Sequence, residues 1–139
     1  KAKIIADKQR LSRALSCLIE NALIQTKKGV VEFGASFADK NTLVFTIKDS
    51  SNMLLQEGVR KIFETTEIGE DWYNTSDTIG LGYKLASGLV KAMGGTIIVS
   101  DSSFKGISIE FSIPVTAVIP KHYHSGELNS IEVEGPQEE

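Results

Sequence analysis

The sequence predicts an α+β fold: a two-layer sandwich in which a mixed, mostly antiparallel sheet is covered on one face by about three helices. Three observations predict it. After Asp7, apolar residues recur at helical spacing as far as Leu23. Two stretches, residues 30–49 and 96–113, read as β-rich hairpins. The order is helix, hairpin, short helix, long loop, helix, hairpin. Helices separated by whole hairpins cannot alternate with parallel strands, so they gather on one face of the sheet.

Residues 3–6 read as a strand. Asp7 is then a fitting N-cap for a helix whose stripe is Leu11, Ala14, Leu15, Leu18, Ile19, Ala22 and Leu23. Thr26-Lys27-Lys28-Gly29 ends it, with Gly29 expected as a left-handed cap. Val30 to Phe37 and Thr42 to Asp49 form strands around the turn Ala38 to Asn41. A short amphipathic helix is expected over 54–63, then a long loop from Glu64 to Ile79 without helical or strand period. A third helix runs from about Leu81 to Met93, with Leu81, Leu85, Leu89, Ala92 and Met93 on one face, and closes at Gly94-Gly95. Strands 96–100 and 107–113 make the second hairpin, which Pro114 ends. Residues 1–114 thus form one domain. Residues 115–139 are a C-terminal extension, from Lys121 onward expected to be a flexible acidic tail.

Composition excludes several classes of function. A net charge of -3, with no basic cluster longer than Lys27-Lys28, leaves no field for nucleic acid or an anionic membrane surface. The single cysteine, Cys17, rules out an intrachain disulfide and a Cys-based metal cage, and fits a reducing, cytoplasmic setting. No apolar run approaches the roughly 20 residues of a membrane span. The chain begins at Lys1 inside a strand and reads as a piece of something longer.

The candidate site residues follow from chemistry. Thr78-Ile79-Gly80-Leu81-Gly82-Tyr83 reads as a glycine-flanked turn opening into a helix, where unpaired N–H groups and the positive end of the dipole attract phosphate. Asn21 lies at the edge of the buried stripe of the first helix, and its amide oxygen is a hard neutral ligand suited to Mg²⁺. Asp49 ends an alternating strand and places an acceptor-only group at the rim of the sheet, able to choose the exocyclic amine of adenine over the carbonyl of guanine.

Taken in order, these motifs resemble the ATP-binding catalytic domain of sensor histidine kinases, within the superfamily of gyrase B, Hsp90 and MutL. Leu18 to Ala22 looks like its asparagine box, Ile47 to Met53 its first glycine box, Lys61 to Glu64 its phenylalanine box and Gly80-Leu81-Gly82 its second glycine box. Met93 to Ile97 with Gly106 to Pro114 matches its closing hairpin, so the resemblance covers roughly residues 3–114. It implies the Bergerat type of sandwich, with ATP and Mg²⁺ as cofactors. The implied nucleotide-binding set is Asn21, Asp49, Met53, Thr78, Gly80, Leu81 and Gly82, Asn21 being also the metal ligand and catalytic residue. It further implies a protein histidine kinase acting on a phosphoacceptor and dimerisation domain of the parent chain, and through it on a response regulator. The isolated domain is then monomeric and inactive alone, without direct membrane contact, in a parent that is membrane-anchored or free.

The chain departs from that pattern in three places. Ser51 and Met53 stand where the first glycine box has glycine; if positive φ is still needed there, each costs about 1 to 2 kcal/mol. Ile24 stands where the family has a lysine facing phosphate, a role left to Lys27, Lys28 or Lys84 if geometry allows. Cys17 stands where it has Glu, His or Asn, and reads as a buried structural cysteine. His122 and His124, the only histidines, read as surface residues of the tail rather than phosphoacceptors. The alternative to a kinase is therefore a catalytically silent nucleotide-binding or interaction module of the same fold. A stand-alone serine kinase of the anti-sigma-factor type shares the fold but fits the abrupt start less well.

Overall fold

The computed structural model describes residues 2–50, 78–101, 106–118 and 131–134. The expected helix over 54–63, Met53, the phenylalanine box and nearly all of the long loop lie outside them. Helix α1 spans Lys8–Gln25 and helix α2 Thr78–Ala92. The strands are β1 (Ala2–Ile5), β2 (Val31–Asp39), β3 (Thr42–Asp49), β4 (Thr96–Asp101), β5 (Ile107–Pro114), β6 (Thr116–Val118) and β7 (Ile131–Glu134). The α+β prediction holds, with two helices rather than three among the described residues.

The main sheet has the order β2-β3-β5-β4 and is antiparallel throughout. Alternation along β3 sends Leu43, Phe45, Ile47 and Asp49 to one face, all of them buried. Register sets Leu43 opposite Ile113, Phe45 opposite Phe111 and Ile47 opposite Ile109, so two central strands share one apolar surface. Phe45 and Phe111 stack at 4.9 Å between centroids, and each such side chain contributes about 1.5 to 3 kcal/mol by leaving water. Across the sheet, Lys48 pairs with Glu32 and Thr96 with Ser112, as a solvent face requires. Asp39 accepts from the Asn41 N–H at 2.7 Å in the first hairpin, which holds its carboxyl below the usual range.

Helix α1 lies over β2 and β3, α2 over β4 and β5, and the helices pack on each other. Asp7 caps α1 as expected, accepting from Arg10 N–H at 3.0 Å. The buried stripe of α1 is Leu11, Ala14, Cys17, Leu18, Asn21 and Ala22, whereas Leu23 is exposed. The stripe leans toward the side that meets α2, which is why Cys17 and Asn21 enter it and Leu23 leaves. Gly29 does not cap this helix. Thr26 does, its N–H bonding Ala22 C=O, while Gly29, at φ 138°, lies where an added Cβ would collide with Ser50.

Helix α2 corrects the sequence reading more sharply. It buries Tyr83, Ala86, Ser87 and Val90 and leaves Leu81, Leu85 and Ala92 exposed, while Leu89 and Met93 of the expected stripe are partly buried against the core. Both faces carry apolar residues, and the buried one brings Tyr83 to Gln25 and Gly82 to Asn21 on α1. Its end is as expected: Gly94, at φ 77°, donates to Lys91 C=O and Gly95 to Val90 C=O, a Schellman closure.

A second sheet, β6-β1-β7, gathers the chain ends. β5 ends at Pro114, but the chain pairs again at once, β6 running antiparallel to β1. The extension was expected to be a mostly flexible tail, yet Ile131–Glu134 forms a strand parallel to β1. Alternating Ile and Val with Glu is a strand-type period, a local signal that the overall acidity of the segment obscures.

Candidate functional site

The site lies where the C-terminal half of α1, the start of α2 and the end of β3 converge. Asn21 is 7% exposed, and its Nδ2 has no hydrogen-bond partner among the described residues. It stands against Gly82, where an added Cβ would come within 2.6 Å of Nδ2. The first turn of α2 therefore passes directly beside the Asn21 amide. Thr78, Gly80, Leu81 and Gly82 all lie within α2, which begins at Thr78 rather than after a glycine turn. Among the described residues only Gly29 and Gly94 have positive φ, so Gly82 is required for room and not for backbone freedom.

Asp49 is 2% exposed on the apolar face, and its Oδ1 accepts from Ile107 N–H at 3.1 Å. Gly106 makes this possible, since a Cβ there would overlap the Asp49 carbonyl and come within 2.7 Å of Oδ1. Just beyond, Ser50 Oγ accepts from Val30 N–H at 3.0 Å and pins the exit of β3 to the segment leaving α1.

Three residues that sequence reasoning missed complete the cluster. Gln25, one turn after Asn21 on the same face, donates from Nε2 to Tyr83 Oη at 3.1 Å. Burial pushes the Tyr83 phenol up to about 12; the Gln25 N–H opposes the rise and the charge of Asp49 adds to it. Gln25 Oε1 and Thr26 Oγ1 are buried without partners among the described residues, like Asn21 Nδ2. Buried polar atoms are normally satisfied, so these three on the last two turns of one helix are the exceptions among the described residues. The sequence signal was present in Gln25, a polar residue four positions after Asn21 at the centre of the helix stripe.

At the departures from the family pattern, Ile24 is 65% exposed and Cys17 is buried in the apolar core as expected; of the substitute lysines, Lys27 and Lys28 are exposed and Lys84 is half-buried. Among the described residues no group of three or more His, Cys, Asp or Glu is placed to hold a metal ion, and no helix is long and apolar enough to cross a membrane.

Known proteins share the sequence pattern and the fold of this chain. Residues 6–117 match the family model of histidine kinase-, DNA gyrase B-, and HSP90-like ATPases. The chain is 32% identical over 114 residues to the signal transduction histidine-protein kinase BaeS of Escherichia coli, covering 81% of this chain and 24% of that protein. It is 32% identical over 108 residues to the sensor protein KdpD of Mycobacterium tuberculosis, covering 78% of this chain and 12% of that one. It thus spans a quarter or less of these relatives. Among solved structures, full-length ShkA in complex with AMPPNP superposes with TM-score 0.62 at 26% identity, covering 81% of this chain and 25% of that one. The mycobacterial sensor histidine kinase MprB gives TM-score 0.57 at 19% identity, covering 81% and 79%, a likeness of fold. The chain belongs to the histidine kinase-, DNA gyrase B- and HSP90-like ATPase family, as an ATPase domain of the kind found in sensor histidine kinases.

Proposed function

We propose that this domain binds Mg²⁺-ATP and passes the γ-phosphoryl group to a histidine on a separate dimerisation domain of its parent chain, from which a response regulator receives it. One observation carries the reading: Asn21 Nδ2 is buried and has no hydrogen-bond partner among the described residues, against the first turn of α2. An Asn side chain offers a donor to phosphate oxygen and a neutral oxygen to a hard cation, and the adjacent helix start adds backbone N–H groups from Thr78 to Leu81. With no acidic cluster to hold a metal among the described residues, the ion would arrive with the phosphates and take Asn21 as its protein ligand. When bound, it neutralises charge on the phosphates. Asp49 receives the purine amine; Gly80 and Gly82 let the phosphates approach, and Leu81 and Met53 line the nucleoside. The complex of ShkA with AMPPNP, a protein of the same fold at 26% identity, supports a nucleotide as the ligand. We place the domain in the cytoplasm as a monomer, inactive without its phosphoacceptor, with neither nucleic acid nor membrane as a direct partner.

A second reading, a nucleotide-binding module without turnover, is favoured by Ile24 and Cys17. Ile24 projects an apolar side chain into solvent, and Cys17 is committed to the core. Calorimetric titration with ATP, with and without Mg²⁺, tests the first reading. Magnesium-dependent binding that weakens at least tenfold in Asn21→Ala supports it, and no binding by folded protein at millimolar ATP overturns it. Binding without transfer of label from γ-labelled ATP to the parent's phosphoacceptor domain selects the second.

A further inference from the structure

On the reading that this site takes Mg²⁺-ATP, the helix contact at Asn21 must be held in place by something other than itself. Asn21 and Gly82 stand so close that a Cβ on Gly82 would come within 2.6 Å of Nδ2. No hydrogen bond secures that approach: Nδ2 has no partner among the described residues, and glycine has no side chain to offer. Leu18 and Ala22 of α1 share one apolar core with Ala86 and Val90 of α2, but burial is non-directional. Burial alone leaves a helix free to turn or slide slightly.

The next residue of α2, Tyr83, supplies the direction. Its phenol is fully buried, and Gln25, one turn beyond Asn21 on α1, donates to Oη from Nε2 at 3.1 Å. A phenol both donates and accepts, so the bond persists whichever way round the Gln25 amide sits. Breaking it would strand a hydroxyl where water is excluded, which makes the bond costly to lose. The charge of Asp49, at the end of β3, also acts on this phenol, so Tyr83 belongs to the place where α1, α2 and β3 converge. Two neighbouring crossings therefore differ in kind. Asn21 and Gly82 merely touch, whereas Gln25 and Tyr83 are bonded.

We propose that the Gln25–Tyr83 bond is the pin that sets the distance and angle between the Asn21 amide and the first turn of α2. Gln25 and Tyr83 are positioning residues: in this role neither touches the ligand. They fix the pair of groups that would receive phosphate and Mg²⁺, and binding gains through pre-organisation.

The test compares wild type with Tyr83→Phe, Gln25→Met and the double variant. In ligand-free ¹⁵N-labelled protein, the Asn21 side-chain amide resonances are expected to shift or broaden in each single variant while most backbone resonances stay in place. In calorimetry each single variant should bind Mg²⁺-ATP about three- to tenfold more weakly, the range set by losing one neutral hydrogen bond. The loss should be larger with Mg²⁺ than without it, since Asn21 is the proposed metal ligand. The double variant should bind no more weakly than the weaker single one, because both changes remove the same bond. Should Tyr83→Phe fail to fold, Gln25→Met, at a half-buried position, carries the spectroscopic and Mg²⁺ readings by itself. Asn21 resonances that stay at their wild-type positions, losses that add in the double variant, or equal losses with and without Mg²⁺ would overturn the proposal and leave the two residues as packing. A folded wild type that binds no ATP at millimolar concentration defeats the nucleotide reading, and the Asn21 resonances of the ligand-free variants still decide the pin.

Discussion

Asn21 and Gly82, 61 positions apart, touch across the two helices so closely that one added carbon on Gly82 would come within 2.6 Å of Asn21 Nδ2. In Gly82→Ala the helix gains up to about 1 kcal/mol of intrinsic propensity, while the short Asn21 side chain must turn aside. The melting temperature is expected to stay level or rise as ATP affinity falls at least tenfold. Parallel loss of both would mean that the glycine serves packing rather than the ligand.

Asn21→Ala should separate stability from binding in the same sense. Its Nδ2 has no partner to lose among the described residues, so removing the amide relieves a buried unsatisfied group and costs less than about 1 kcal/mol of folding free energy. Denaturant unfolding checks the first half and calorimetry the loss of Mg²⁺-dependent ATP binding.

Asp49→Asn keeps an oxygen for the Ile107 N–H but replaces an acceptor-only carboxylate with an amide that can also donate. The charged bond to adenine is worth about 1.5 to 3 kcal/mol, so ATP should bind roughly ten- to a hundredfold more weakly, with preference over GTP reduced. Retained preference for ATP would remove Asp49 from base recognition.

Gly106→Ala should damage the fold and the site together. Its Cβ would overlap the Asp49 backbone carbonyl, which unlike a side chain has nowhere to turn. A loss of about 2 kcal/mol or more in denaturant unfolding is expected.

Alkaline unfolding reports on Tyr83. Its phenol is raised in the folded state to about 12 from the ordinary 10, so folding favours the protonated form. The associated stability is complete below about pH 10 and is lost as pH rises through about 12, amounting to roughly 2 to 3 kcal/mol. Tyr83→Phe should flatten the fall in stability between those limits; subtracting the two curves cancels the other tyrosines. An unchanged slope would show that Tyr83 ionises as freely folded as unfolded.

Local patterns in the sequence determined the elements of this protein. Asp7 caps α1 because a carboxylate before an apolar helical run bonds a free N–H of the first turn, that of Arg10, and Gly94-Gly95 closes α2 because only such residues turn there cheaply. The alternation of Leu43, Phe45 and Ile47 fixed the buried face of β3 and carried Asp49 onto it. The family motifs placed Asn21, Asp49 and Gly82 in the order in which the fold assembles them. Tertiary structure decided what depends on a partner. Leu81 and Leu85 promised the buried face of α2 but lost to Tyr83, Ala86 and Val90, because the face that meets α1 carries Gly82 beside Asn21 and a tyrosine that Gln25 can satisfy. The separation of 58 positions between Gln25 and Tyr83 hides their bond from any periodic reading. β7, at the far end of the chain, forms by pairing with β1, whose edge hydrogen bonds need a strand beside them. Period and capping are properties of a few consecutive residues; the choice of face, the orphaned amides and the strand that joins the chain ends arise when distant segments must share one interior.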